Sequence, residues 1–221
     1  MIVSIANFIA HGTSNKAFIN TIGEFTNDIC KELKFNSPTT QVIIFTSTIR
    51  YLFDEAYVIK SDLSGYNKSN AEFLVKCDAF SKQPARELKL SSDIEAYYTP
   101  GLPITSLFKS KQQTLLKELE YMTNPIDLTV RINDVINSLA QFFGSEVGVL
   151  SFDDTLTLFL GLMSQSPPAN AVAIAKFIEK WSELLLSEVT KNSKNFYLAA
   201  IDHILKLEAV QVADDTKEFF R

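Results

Sequence analysis

Apolar residues recur at helical spacing along most of the chain, with polar residues between them. The first stripe advances in steps of three or four residues and comprises Phe18, Ile22, Phe25, Ile29 and Leu33. It predicts a helix that begins near Thr13 or Ser14. A second helix is predicted over residues 39–59, although its β-branched start also fits a strand. Short helical segments are predicted over residues 71–80 and 84–90.

The clearest break in the chain is Tyr98–Pro103, which contains two prolines and one glycine. After this break, apolar periodicity predicts a helix over Ile104–Tyr121 and then a longer helix that ends near Gly144. Asn124 is the predicted N-cap of the longer helix, because the fixed φ of Pro125 suits the first helical position. The start of this helix is therefore assigned to a defined residue.

The next predicted helix opens at Ser151, with Asp154 in the register of a capping box. Over Leu156–Met163 this helix is apolar on nearly all sides, which is typical of a helix at the centre of a bundle. Pro167-Pro168 ends it. Further helices are predicted over residues 170–188, 195–208 and 213–221.

The composition favours helix over strand. Of the 221 residues, 46% are hydrophobic and 21% are charged, as in ordinary globular proteins that form their own core. The chain has only seven glycines and seven prolines, whereas an all-β protein of this length needs more turn residues. We therefore predict an all-α fold, a layered helical bundle, in which an N-terminal helical region (1–101) and a core helical domain (102–221) pack as one body.

Charge and residue counts argue against several classes of function. Lysine and arginine total 21 against 26 acidic residues, so the chain lacks the positive charge that nucleic-acid binding requires. His11 and His203 are too few for a histidine-rich zinc site, and no glycine-rich nucleotide-binding motif occurs. We therefore expect no metal, no cofactor and no covalent catalysis. Cys30 and Cys77 lie far apart, as expected of free thiols in a reducing compartment.

The N-terminal segment is apolar but lacks the basic residues that open a signal peptide. No later stretch approaches the roughly 20 apolar residues that span a bilayer. We therefore expect a cytoplasmic protein that does not insert directly into a membrane.

Three short segments between about residues 110 and 210 share a recognisable pattern. Tyr121–Pro125 places an aromatic residue, a threonine and a proline before Leu128. Ser151–Thr157 places two aspartates at the head of an apolar helix that runs to Ser166-Pro167-Pro168. Ala175–Trp181 is the third segment, and its spacing from the second fits the pattern without an insertion or deletion. Together these segments resemble the vacuolar-protein-sorting-nine (Vps-nine) domain, a helical module whose members activate endosomal Rab GTPases of the Rab-five-like branch.

The resemblance implies a guanine nucleotide exchange factor for a Rab-five-like small GTPase, cytoplasmic and recruited to endosomes. In this family an acidic residue at the head of the central helix enters the phosphate site of the GTPase, and its position falls on Asp153. A carboxylate there competes with the β-phosphate for the P-loop lysine and disfavours bound Mg²⁺. GDP is then held less tightly, while the empty GTPase is stabilised.

The family also uses an aromatic hydroxyl that steadies the switch region, and its position falls on Phe196, which has no hydroxyl. The neighbouring Tyr197 is therefore the second candidate catalytic residue. The candidate GTPase-binding residues are Asp154, Leu156, Thr157, Leu160 and Phe196. Thr157 stands where the family has a proline. These departures keep an alternative open, namely a non-catalytic module that binds a GTPase or another trafficking protein without releasing nucleotide.

Overall fold

A computed structural model of the chain describes residues 15–59, 64–95, 99–147 and 150–207. These residues form α-helices and short 3-10 turns without any β-strand, so the predicted all-α bundle is confirmed. The helices of eight or more residues are α1 (Asn15–Glu32), α2 (Pro38–Ile59), α3 (Asn67–Ser81), α4 (Ser110–Lys117), α5 (Pro125–Val147), α6 (Phe152–Gln165), α7 (Ala171–Lys180) and α8 (Glu188–Lys206). None of the described helices has both the length and the apolar character needed to cross a bilayer.

Helix α6 lies at the centre of the bundle, as its apolar sequence predicts. It packs against α3, α4, α5 and α8, and residues 158–164 are all buried. The absence of a side chain at Gly161 lets the Phe108 ring approach closely, since a Cβ atom there would lie 3.1 Å from that ring. Buried apolar side chains of this kind provide most of the free energy that stabilises such a bundle.

A second, smaller cluster joins the α1–α2 hairpin to the rest of the molecule. Trp181, just after α7, packs edge-on against Phe18 and Phe53, with ring centroids 5.4 Å and 5.1 Å apart. Ile126 at the start of α5 also belongs to this cluster. Such aromatic pairs are worth about 0.5–1.5 kcal/mol each beyond the area that they bury. The hairpin is therefore held mainly by α7 and the start of α5.

Helix α3 belongs to the main core and not to this second cluster. Phe73 and Cys77 are completely buried there, among side chains of the later helices. Helices α1 and α2 therefore belong to the second cluster, and α3 belongs to the main core. The region predicted as residues 1–101 contributes to both clusters.

Several predicted helix boundaries are wrong. Residues 104–121 do not form one helix, because 3-10 turns flank α4 on both sides. The segment between α7 and α8 turns inward to bury Leu184 and Leu185, and α8 then begins at Glu188 instead of Asn195. Ser187 caps α8 by accepting a hydrogen bond from the Thr190 amide at 3.2 Å. The helix predicted over residues 213–221 lies outside the described residues.

Candidate functional site

The head of α6 is built by a local capping motif. Ser151 is the N-cap, and its hydroxyl oxygen accepts a hydrogen bond from the Asp154 amide at 3.0 Å. This satisfies one of the amides that a helix start leaves without a partner inside the helix. Phe152, Asp153 and Asp154 therefore occupy the first three helical positions. The predicted start of this helix is confirmed.

Asp154 is fully engaged by its own chain. One carboxylate oxygen accepts a hydrogen bond from the Ser91 amide at 2.9 Å, and the other accepts one from the Ser151 hydroxyl at 2.7 Å. Partial desolvation acts to raise the pKa of Asp154, but these hydrogen bonds outweigh it and hold the pKa below its ordinary value. Asp154 thus docks the Ser91 loop onto the head of the central helix.

Asp153 has the opposite character. Its side chain is exposed, and it forms no hydrogen bond or ion pair with any residue that the structure describes. The free amides at the helix start and the helix dipole favour a negative charge at this position. Asp153 is therefore a carboxylate held at a fixed place on the surface and free to meet a cation of another molecule.

A groove with an apolar α6 wall runs between α6 and α8, and its lining begins at Leu156, three residues after Asp153. It encloses about 360 Å³. Its α6 wall includes Leu156 and Leu160, two of the residues predicted from the sequence. The rest of the lining comes from α8 and the residue after it: Ala199, Asp202, His203, Lys206 and Leu207.

Two aromatic rings lie near the head of α6, about one turn before the groove lining begins at Leu156. Phe152 and Phe196 pack edge to face, with centroids 4.6 Å apart and planes at 63°. Phe152 is 65% exposed, while Phe196 is partly buried. Since Phe152 precedes Leu156 by four residues, both side chains project from the same face of α6. The rings therefore extend the apolar surface of the groove to the head of the helix.

The far end of the groove is fixed by contacts from other elements. Lys76 of α3 donates hydrogen bonds to the carbonyl oxygens of Leu205 and Leu207, the latter at 2.9 Å. A lysine in this place complements the negative end of the α8 dipole. On the rim, Lys206 and Asp202 form an ion pair at 2.7 Å. The groove is thus bounded by residues whose charged groups already have partners.

Tyr197 does not lie on this surface. Its side chain is completely buried, and its hydroxyl donates a hydrogen bond to the carbonyl oxygen of Ala171 at 3.2 Å. Burial raises the pKa of Tyr197, so the hydroxyl stays neutral. The expectation that Tyr197 meets the switch region of a GTPase is therefore wrong. Phe196 occupies the surface position instead.

The predicted residues thus separate into those that meet at one surface and those that do not. Asp153, Leu156, Leu160 and Phe196 lie along the head of α6 and its groove. Thr157, one turn after Asp153, is partly buried and is not part of the groove lining. Asp154 and Tyr197 serve the fold.

The sequence reasoning missed Phe152 and the α8 side of the groove. The spacing of Phe152, Leu156 and Leu160 was visible in the sequence as a series of four-residue steps. Which face of α8 lies opposite that series depends on tertiary packing, so the sequence carries no comparable signal for Ala199 or His203.

No grouping of three or more metal-ligating side chains occurs in the described part of the chain. No protein-family model matches the chain, and a search of curated proteins likewise returns no match.

Proposed function

We propose that the head of α6 and its groove form the site of a guanine nucleotide exchange factor for a Rab-five-like small GTPase. Recruitment of the protein from the cytoplasm to endosomes, where such GTPases act, is part of the same proposal. The resemblance of residues 110–210 to Vps-nine domains motivates it, and the position of Asp153, three residues before the groove residue Leu156, supports it.

The proposed mechanism uses the free carboxylate of Asp153. GDP is held in a GTPase by a lysine, by backbone amides and by Mg²⁺, all of which attract negative charge. A carboxylate inserted there competes with the β-phosphate and opposes Mg²⁺. The groove supplies apolar contacts with the empty GTPase. Exchange is faster because the nucleotide-free state gains binding free energy that the GDP-bound state lacks.

One observation carries the proposal, namely the difference between Asp153 and Asp154. The two carboxylates are adjacent on one helix, yet Asp154 is satisfied by Ser91 and Ser151 while Asp153 has no partner among the described residues. Helix capping therefore accounts for the contacts of Asp154, whereas the exposed carboxylate of Asp153 is placed where a partner can reach it.

A second candidate function is a module that binds a GTPase without releasing its nucleotide. Phe196 lacks a hydroxyl and Tyr197 is buried, so the groove presents no tyrosine hydroxyl to a partner. This observation favours binding without catalysis, because no tyrosine among the described groove residues replaces the polar contact that steadies the switch region in the family.

The test is release of fluorescent mant-GDP from a panel of Rab GTPases, with Asp153→Asn and Asp154→Asn as matched variants. We expect the parent to accelerate release from a Rab-five-like member. Loss of one preorganised charge from a catalytic site costs about 10²–10³ in rate, so Asp153→Asn should lose nearly all activity. Asp154→Asn should keep most of it.

Equal release by the parent and Asp153→Asn would contradict the proposed mechanism. Tight binding of a nucleotide-free GTPase without release would support the non-catalytic module instead. If the parent neither binds nor acts on any member of the panel, both candidate functions are wrong.

A further inference from the structure

We propose that Phe152, paired with Phe196, is a specificity-determining residue that selects a GTPase with an apolar side chain beside its phosphate site. This inference rests on the proposed function and extends it, because it specifies the chemistry of the partner surface.

The exposure of Phe152 is the first observation behind this inference. The side chain is 65% exposed, so most of its ring does not contribute to the core. Single exposed apolar residues are common on proteins. Phe152 differs from such residues because its ring packs against a second aromatic ring, with centroids 4.6 Å apart, and lies one turn before the groove residue Leu156 on the same face of α6. Aromatic anchors in such positions contribute most of the affinity of many interfaces.

The second observation is the order of groups along α6. Phe152, Leu156 and Leu160 span eight residues, or about 12 Å of helix. Asp153 lies next to the first of them and has no partner among the described residues, whereas the charged pair on the groove rim is already joined. A partner whose cationic phosphate site receives Asp153 therefore places its adjacent surface against the two rings.

The chemistry of the rings then decides which partner surface fits. Neither ring has a hydrogen-bonding group, and the nearby Tyr197 hydroxyl is occupied by the Ala171 carbonyl inside the core. A polar partner group placed against the pair would lose water without gaining a hydrogen bond, which is unfavourable. An apolar group would gain contact area. The pair therefore favours one class of GTPase surface and penalises the other.

The experiment uses the full chain and the GTPase on which the parent acts. Phe152→Ala and Phe152→Leu are compared with the parent by affinity for the nucleotide-free GTPase and by the concentration that gives half-maximal mant-GDP release. We expect Phe152→Ala to lower the affinity about 30-fold and to raise the half-maximal concentration by the same factor, as is usual for an aromatic hot spot. The maximal rate of release should not change. Phe152→Leu should retain most of the affinity.

Tyr121→Ala is the matched control, since Tyr121 is 81% exposed and belongs to the 3-10 turn before α5, not to α6 or α8. It should change neither quantity. Thermal unfolding of all variants is measured alongside, and Phe152→Ala should lower the unfolding temperature by no more than about 2–4 °C, because it removes a single exposed aromatic pair. A loss of binding that follows a loss of stability would overturn the inference, because Phe152 would then have a structural role.

The outcomes also separate this inference from the proposed function. If Phe152→Ala binds and releases nucleotide like the parent while Asp153→Asn does not, the aromatic pair is not a specificity element and the exchange site stands. If the parent binds and acts on no GTPase, both are overturned.

Discussion

Helices α5 and α6 both begin with acidic side chains, but the two helix starts use them differently. At the start of α5, Asp127 accepts a hydrogen bond from the side-chain amide of Asn124 at 2.8 Å. It also accepts hydrogen bonds from Arg50, with which it forms an ion pair at 2.6 Å. At the start of α6, Asp154 is likewise engaged, whereas Asp153 has no hydrogen-bond or ion-pair partner within the described part of the chain. Asp127 and Asp154 therefore stabilise the fold, whereas Asp153 is exposed at a position that a partner can reach.

The start of α7 adds a third arrangement. Asn170 lies at its N-cap position but its side chain forms no cap. Instead the buried Asn70 of α3 accepts hydrogen bonds from the Val172 and Ala173 amides at 2.9 Å and 3.2 Å. A remote residue thus supplies the cap and joins two helices. Substitutions at the three helix starts should therefore reduce the free energy of unfolding by different amounts.

Asn70→Ala should have the largest effect on stability. It leaves two buried amides without an acceptor, and we expect the free energy of unfolding to fall by about 2–3 kcal/mol. Urea denaturation measures this change. Asn70→Asp, which keeps the acceptor oxygen, should lose less. A loss below about 0.5 kcal/mol for Asn70→Ala would mean that water replaces the cap without cost.

Asp127→Ala should have a smaller effect, about 1–2 kcal/mol, because its ion pair with Arg50 is partly exposed and screened by water. Urea denaturation is again the measurement, and a double-mutant cycle with Arg50→Ala isolates the pair. If the protein has the proposed exchange activity, Asp127→Ala should keep it under conditions in which the variant is folded. A folded Asp127→Ala protein without activity would contradict the structural role assigned to the start of α5.

Asp154→Asn should cost about 0.5–1 kcal/mol at neutral pH, the usual worth of a capping charge. Because the folded chain lowers the pKa of Asp154 from its ordinary 3.8, the stabilisation is complete above that value. It is lost as the pH falls through the folded pKa, so the parent and variant should converge in acid. Urea midpoints at several pH values measure this.

Asp153→Asn is the control for that series, since it removes a charge from the same helix start without breaking a hydrogen bond to another described residue. We expect its stability to change by less than about 0.5 kcal/mol. If Asp153→Asn proves as destabilising as Asp154→Asn, the two carboxylates do not have separate roles.

The sequence predicts those features of the fold that depend on neighbouring residues. The start of α5 at Pro125 follows from Asn124, whose side-chain oxygen accepts from the Asp127 amide at 2.9 Å. The start of α6 follows equally from Ser151. Both caps form within four residues, so propensity and capping chemistry suffice to place them.

Features that depend on distant contacts could not be predicted in this way. The break between α7 and α8 carries no glycine or proline, and it exists because Trp181 and Leu184 turn into the second cluster. The burial of Tyr197 depends on how α8 meets α6 and α7. The partner of Asp154 is Ser91, 63 residues away. Only the register of Asp153, one residue short of the capping position, indicated that its side chain is exposed and outside the capping motif.

The burial of both native thiols has a practical consequence for spectroscopy. The chain has two cysteines, Cys30 and Cys77, whose side chains are 4% and 0% exposed. Burial also raises the pKa of Cys77 to about 12, so its reactive thiolate is scarce at neutral pH. A cysteine introduced on the surface should therefore react with a maleimide dye far faster than either native thiol. Fluorophores for single-molecule recordings of partner encounters can thus be attached without first removing the natural sulfhydryls.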